Sequence, residues 1–544
     1  MTAREEIKNL IEKAVKNLYG KEVEVKIEKP AEMTYGDYAT NVAMTLKKNP
    51  QEIANVIKYR AKRGEEEGKA LFDYRAKRGE KEGKALFEST IIEKVEVKNG
   101  FINFFLSKEY LQRQIREIFE KKEKFGEIKL GKGQKVNVEF ISANPTGELH
   151  LGHGRGAFFG DVLANILKKA GYNITREYFI NDAKNSAQIK ELGKTALERG
   201  TTYLTEELKT QISKLKATAQ ISKLSEGETG YKLAQIVQKD IRNFIEKKLK
   251  IKFDSWVSEE EFYKKSKIDK IYNWLGERDL IYQKENAQWL KTLKYGDTKD
   301  WVVIRETGEP TYLLSDAAYH KDKFDRGFSK IINIWGADHQ GHVGKIKAVA
   351  KILNYKGDLD ILISQVVRLK GGKISKRKGQ IITLDWLINE AGLDAARFFY
   401  LMKSLDTQME FDLELAKERS AKSPVYYVQY AHARICSILR KTKIKKRNKF
   451  TGVNLLQHPS ELGLIKQLIR FPEIIEDTAK DYQVQRLPQY AVDLATSFHQ
   501  FYRDCQVLTE NSSLRAARIG LILATRVVFK NTLNLMGISA PEKM

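Results

Sequence analysis

The chain has 544 residues, with 96 lysines and arginines against 71 aspartates and glutamates, a formal charge of +25. This length holds several hydrophobic cores, and this charge favours a polyanionic partner. Two cysteines, Cys436 and Cys505, exclude a disulfide framework or a cysteine zinc site and fit a reducing cytoplasm, and the lack of any run of eighteen apolar residues leaves no membrane partner expected.

Ile7, Leu10, Ile11, Ala14 and Leu18 recur at helical spacing and predict an amphipathic first helix, whose acids Glu5, Glu6 and Glu12 argue against a signal or transit peptide. With the strand patterns EVEVKIEK and GFINFFLS, residues 1–122 read as a small α/β domain. A tandem copy interrupts it: YRAKRGEEEGKALFD from Tyr59 is followed by YRAKRGEKEGKALFE from Tyr74. Two charged copies are too few and too polar for a solenoid, so 59–88 is expected to be a solvated insertion.

From residue 133 the pattern becomes strand, glycine loop, helix, strand, in KVNVEFISANP, GDVLANILKKAGY and NITREYFINDA. That alternation predicts a parallel sheet with helices on its faces. The repeated QISKL at Gln211 and Gln220 marks 196–227 as a peripheral insertion, and WVVIRE, KIINIWG and LDILISQVVRL add strands up to about residue 384. Beyond Asp385 the strand patterns stop. PQYAVDLATSFHQFYRDCQVL and LRAARIGLILATRVVFKNTLNLMG predict an all-α bundle over 385–544, with Lys441, Lys443, Lys445, Lys446 and Lys449 crowding one connection.

Two stretches carry chemistry. In ISANPTGELHLGHGRGAFFGD, a strand ends near Ser142, Asn144-Pro145 turns the chain, and a helix starts near Leu151. This brings His150 and His153 to one side of the first turn. Gly152, Gly154 and Gly156 let phosphates and a flat ring approach the backbone, and neutral imidazole N–H groups donate to phosphate oxygens. Taken alone, the stretch also fits incidental histidines, or a metal pair lacking its third ligand. In RLKGGKISKRKG, Lys373 and Lys376 stand on a glycine-flanked loop after a strand, placed to neutralise charge on a departing diphosphate.

HLGH after the first strand and KISK after the last resemble the two signatures of class I aminoacyl-tRNA synthetases. FDSWVSE, YGDTKDWVVIRETGEPTYLLSDAAYHKDKFDRGF, NIWGADHQGH, DAARFFYL and SPVYYVQYAHAR are similar, in order, to blocks of the arginyl-tRNA synthetase family. YGDYATNVAM and LNLMGISAPEKM resemble its two ends, so the likeness covers nearly the whole chain apart from the duplicated insertions. The sequence departs from the family at Ile374, where methionine is commoner, and at Lys184, where glycine is frequent; Arg377 is a frequent variant.

The resemblance implies a Rossmann-type catalytic domain (133–384), an N-terminal domain (1–122) that touches the tRNA elbow, and a helical anticodon-binding domain (385–544). It implies ATP-dependent joining of L-arginine to tRNA(Arg) through an arginyl-adenylate. His150, His153, Lys373 and Lys376 would act on the phosphates, and Gly152, Gly154, Gly336, Asp338, His339 and Ser375 would contact ATP. Asp316 would grip the guanidinium, with Tyr312 shaping the pocket. Glu139, Ser142 and Asn144 would hold the α-amino end, with Glu285 as a further carboxylate. Tyr426, Tyr430 and Arg434, followed by the lysine cluster, would meet the tRNA. Mg²⁺ would arrive with ATP, held by phosphates and water with no dedicated protein metal site, in a cytoplasmic monomer. Other class I synthetases would need a different pocket: cysteine is disfavoured by the missing zinc cysteines, and acidic substrates would demand arginines where Asp316 stands. An RNA-binding relative without catalysis would be expected to lose HLGH or KISK, and a small-molecule nucleotidyltransferase would not need the basic helical domain.

Overall fold

The computed structural model describes residues 2–30, 32–58, 91–371, 382–442 and 452–544. The duplicated segment 59–88, the lysine loop and the lysines from Lys443 to Lys449 lie outside the described residues.

A parallel sheet organises the middle of the chain. Its five strands among the described residues are β1 (Lys135–Glu139), β2 (Asn173–Ile180), β3 (Ser255–Ser258), β4 (Lys330–Gly336) and β5 (Asp358–Ser364). Their spatial order is β5-β4-β1-β2-β3, with every neighbouring pair parallel. Two crossovers, the helix Leu151–Lys169 after β1 and the helix Val343–Ile352 after β4, wind in opposite directions from the centre. The order therefore reverses between β1 and β4, and the carboxyl ends of these two strands open the crevice in which such sheets bind ligands. Because β1 is central, Val136, Asn137, Val138 and Glu139 are all buried.

The strand patterns assign partners less well than they assign strands. Trp301–Ile304, from WVVIRE, joins Ile281–Lys284 and Ala287–Leu290 in a separate antiparallel sheet, while FDSWVSE supplies β3. LDILISQVVRL breaks after Ser364, and Val367–Leu369 pairs with Met409–Phe411, a strand beyond the expected stop at Asp385. EVEVKIEK pairs only at Glu28, opposite Ala39. The helix Glu206–Thr218 of the 196–227 insertion packs on the helix Glu226–Asn243 and buries Leu208, Gln211, Ile212 and Leu215.

The N-terminal part has a first helix, Ala3–Tyr19, capped by Thr2 and Glu5, and a three-stranded antiparallel sheet. It docks on the C-terminal bundle: Arg4 pairs with Glu476 at 2.6 Å, and the Tyr38 hydroxyl donates to Glu473 at 2.8 Å. The bundle comprises Pro424–Lys441, Pro459–Ile469, Phe471–Asp481, Arg486–Asp504 and Ser512–Leu535. One apolar core runs from Ile7 and Ile11 through Phe158 and Val162 to Phe498 and Phe529. A second cluster, including Phe179, Leu314, Tyr319 and Ile346, lies under the cleft. Fully buried Arg397 joins the regions: it donates to Asp161 at 2.8 Å and to the carbonyls of Leu249 at 2.7 Å and Met536 at 3.1 Å.

Candidate active site

His150 caps the helix Leu151–Lys169, and its Nδ1 accepts the Gly152 N–H at 3.0 Å; His153 Nδ1 accepts the His150 N–H at 3.0 Å. With both Nδ1 atoms accepting, the proton of each neutral ring sits on Nε2 as an outward donor. The rings stack with centroids 3.8 Å apart. Burial lowers the pKa of both, opposed at His150 by Asp338; for His153, burial and then His150 bring it to about 3. The pair is neutral at physiological pH, in line with donation to phosphate without protonation.

The glycines serve packing as well as access. A Cβ on Gly152 would stand 2.8 Å from the His150 ring, and one on Gly154 2.8 Å from Leu384 and 3.0 Å from Tyr400. Gly154 is buried, so its missing side chain admits Leu384 and Tyr400 where the sequence suggests an opening for ATP. The Leu151 N–H donates to the Ile382 carbonyl at 3.2 Å and the Leu384 N–H to the Leu149 carbonyl at 2.7 Å. The residue that follows the lysine loop is thus hydrogen-bonded to the histidine motif. Lys373, Ser375 and Lys376 themselves lie outside the described residues.

At the end of β1 the backbone turns left-handed twice, at Ile141 (φ 69°) and Ser142 (φ 40°). A β-branched residue there is strained, and such strain persists only where the surroundings hold it. Ser142 Oγ donates to Glu139 Oε1 at 2.9 Å and accepts the Phe179 N–H at 3.1 Å; Asn181 Nδ2 donates to the Ser142 carbonyl at 3.2 Å. Asn144 follows, half-buried, its side chain without a hydrogen bond among the described residues.

Across the cleft, Tyr312 and Asp316 stand one turn apart on the helix Tyr312–Asp325. Tyr312 is exposed, and its hydroxyl accepts the Ala187 N–H at 3.2 Å. The Asp316 carboxylate is crowded by protein yet partly open to the cleft, with no hydrogen-bond donor or ion-pair partner among the described residues. Burial, then Glu259 and Glu139, push its pKa up to about 7, against the pull of Lys345 and Lys323. An acid held in this state gains most from an incoming cation. Glu259 is buried and accepts the Ser315 hydroxyl at 2.7 Å. Sequence reasoning missed it, although an acid directly after a strand of the parallel sheet is a readable signal. Glu285 is a correction: it sits at the exposed turn between Ile281–Lys284 and Ala287–Leu290 with φ 53°, beside Lys284 at 3.5 Å, because that segment is a hairpin tip.

On the nucleotide side, β4 ends at Gly336, and Asp338 and His339 lie exposed on the following turn with His339 Nε2 3.4 Å from Asp338. Asp338 is within electrostatic reach of His150, so this turn and the histidine motif share the crevice between β1 and β4. On the bundle, the rings of Tyr426 and Tyr430 stack 6.3 Å apart, and exposed Arg434 lies over Tyr430 at 5.5 Å and Tyr502 at 5.2 Å. His499 adds a ring 6.1 Å from Tyr430 and 4.9 Å from Tyr427, which packs into the core. His499 and Tyr502, from a second helix, were not legible as part of this face.

The family descriptions that match are "Arginyl tRNA synthetase N terminal domain" over residues 5–69, "tRNA synthetases class I (R), catalytic domain" over 114–185 and 177–437, and "DALR anticodon binding domain" over 428–544. Arginine--tRNA ligase of Bacillus subtilis (strain 168) is 40% identical over 575 aligned positions, covering 99% of this chain and 98% of the relative. That of Carboxydothermus hydrogenoformans is 40% identical over 555, covering 96% and 95%. The Thermus thermophilus arginyl-tRNA synthetase structure shares the fold, with a TM-score of 0.75 at 22% identity over 99% of this chain and 100% of that one. The chain belongs to the arginyl-tRNA synthetase family of class I aminoacyl-tRNA synthetases.

Proposed function

We propose that this enzyme activates L-arginine with ATP and transfers it to tRNA(Arg) for translation. The observation that carries the choice of amino acid is Asp316: a carboxylate in the cleft with no cation in contact among the described residues and a pKa of about 7 fits a planar guanidinium, which presents five donors and keeps its charge. Glu259 adds to the negative field, and Tyr312 walls the pocket. Ser142 and Asn144 hold the α-amino and carboxylate end, with Glu139 beneath them.

One oxygen of the arginine carboxylate attacks the α-phosphorus of ATP, and the bond to the bridging oxygen of diphosphate breaks. Negative charge grows on the departing diphosphate. His150 and His153 donate Nε2–H groups to phosphate oxygens, and Lys373 and Lys376 neutralise the leaving group. Gly152, Gly336, Asp338, His339 and Ser375 seat the nucleotide. The terminal adenosine hydroxyl of tRNA then attacks the arginyl carbonyl and AMP leaves. No covalent enzyme intermediate is needed, so positioning and electrostatics supply the rate. The donors at the phosphate end, imidazole and backbone N–H groups, suit phosphate oxygens, so Mg²⁺ would be held by the phosphates of ATP and water and would supply charge neutralisation there. Tyr426, Tyr430 and Arg434, joined by His499 and Tyr502, stack on unpaired bases and meet phosphates. Both free cysteines, Cys436 and Cys505, are buried, which suits a reducing cytoplasm.

ATP–diphosphate exchange with each amino acid, with and without tRNA, tests this reading. Arginine alone is expected to support exchange and charging; a rate with glutamine, glutamate or lysine equal to that with arginine would overturn it.

A further inference from the structure

Beneath the Ser142 turn, Glu139 belongs to a closed set of charges whose other members have no role in the reading above. Lys323 has no exposed surface; its ammonium donates to Glu139 Oε2 at 2.5 Å and to Asn333 Oδ1 at 2.9 Å, with Glu177 3.9 Å away. The Asn333 amide donates to His320 Nε2 at 3.0 Å, and His320 Nδ1–H donates to the Asp316 carbonyl at 2.8 Å. Burial, then Lys323, lower the His320 pKa to about 3, which keeps that ring neutral in this relay. The Tyr319 hydroxyl reaches Glu139 at 3.1 Å and Glu177 at 2.8 Å, and Arg326 grips Glu177 at 2.5 and 2.9 Å. Against the upward push of burial, Arg326 and Lys323 hold Glu177 down at about 2.

The register explains the cluster. Asn333, Glu139 and Glu177 are direct partners across β4, β1 and β2, so all three side chains share one face, under the helix that carries Lys323. Two acids meet two bases there. Glu139, 4% exposed, has Lys323 as its ion-pair partner. Asp316 has no such cation in contact among the described residues. Among the described residues the lower acid is thus ion-paired and the upper one is not. The lower acid accepts the Ser142 hydroxyl, from a turn whose left-handed backbone at Ile141 and Ser142 persists only where its surroundings hold it.

We propose that Lys323 is a positioning residue for the amino-acid end of the pocket: its ion pair fixes the Glu139 carboxylate in place, and Glu139 holds the turn of Ser142 and Asn144 in its strained form. The inference rests on the assignment of that turn to the amino-acid end of the substrate.

A double-mutant cycle tests it, with Lys323→Met, Glu139→Gln and the pair, read as KM for arginine and KM for ATP in diphosphate exchange. Lys323→Met is expected to raise the arginine KM about tenfold or more while the ATP KM changes less than about twofold, and Lys323→Arg to recover most of the loss. In the Glu139→Gln background, Lys323→Met should add less than about twofold, because its route of action is gone. Additive effects, or equal rises for both substrates, would overturn the proposal. If Lys323→Met alone does not fold, Glu139→Gln decides: it is expected to raise the arginine KM about tenfold with the ATP KM held and the double variant within about twofold of it, and an unchanged arginine KM in Glu139→Gln would overturn the proposal. Wild-type exchange run alongside separates the two readings: absent arginine dependence there overturns the activity, whereas an arginine-dependent wild type with additive variants overturns only the role of Lys323.

Discussion

Asp316→Asn should do two opposite things. The acid's pKa stands at about 7 against an ordinary 3.8, chiefly through burial and then Glu259 and Glu139. At about 1.4 kcal/mol per pH unit, keeping it ionised costs the ligand-free fold up to about 4 kcal/mol, and roughly half that for a group partly open to the cleft. Because the folded value is raised, the cost is absent below about pH 4, grows as pH rises, and is complete above pH 7. The amide removes it. Scanning calorimetry at pH 8 without arginine should show the variant melting about 2–4 °C higher, and the gap should close near pH 4. Titration calorimetry should show arginine binding weakened about a hundredfold or more, with a non-hydrolysable ATP analogue bound as before. Stability gained and substrate lost together mark a binding acid held at a cost. If the variant melts lower at pH 8, or loses arginine and nucleotide equally, Asp316 is a structural residue and the reasoning fails.

The same acid fixes a pH dependence: arginine pairs with ionised Asp316, so the arginine KM should rise about tenfold from pH 8 to pH 6 in the wild type and stay flat in Asp316→Asn. A histidine origin is disfavoured, since the His153 pKa lies near 3; His153→Ala should lower the exchange rate about a hundredfold and leave that inflection in place. Lys373→Ala and Lys376→Ala should each lower the activation rate about a hundredfold with little change in arginine binding, and an unchanged maximal rate in stopped-flow would remove the loop from the mechanism. Tyr430→Ala and Arg434→Ala should raise the tRNA KM about tenfold while arginine and ATP binding hold, and tRNA binding should weaken steeply with salt. Undiminished charging at limiting tRNA would return those residues to mere surface.

Much of the frame was readable because its signals are local. The alternation in KVNVEFISANP and the glycines after it needed nothing distant, whereas Asp316 was singled out by the family resemblance, since spacing within its helix alone favours a structural charge beside a packed tyrosine. What escaped depends on partners far along the chain. WVVIRE has the look of a strand, but its neighbours Ala287–Leu290 and Pro310 lie on another sheet, and no periodicity reports pairing. Lys321 and Lys323 read alike in YHKDKFD. Two residues along a helix turn the side chain by about 200°, so one pairs with Asp325 near the surface and the other faces Glu139 with no exposed surface. Gly154 misled for a similar reason: a glycine admits whatever comes close, and here Leu384 and Tyr400 arrive from 230 and more residues away.

Arg397 carries a consequence for how the chain is made. Its guanidinium is shared between Asp161 on the histidine-bearing helix, the Leu249 carbonyl and the Met536 carbonyl. Gly537, at φ 65°, packs against that guanidinium where a side chain would collide. Synthesis runs from the first residue to the last, at about 5–20 residues per second. The helix that presents His150 and His153 therefore waits for a carbonyl made some 375 residues after Asp161 before its buried charge is fully met. Until then the nascent chain holds an arginine and an aspartate whose surroundings are unfinished, and the catalytic core is complete only once Met536 has been made and has docked.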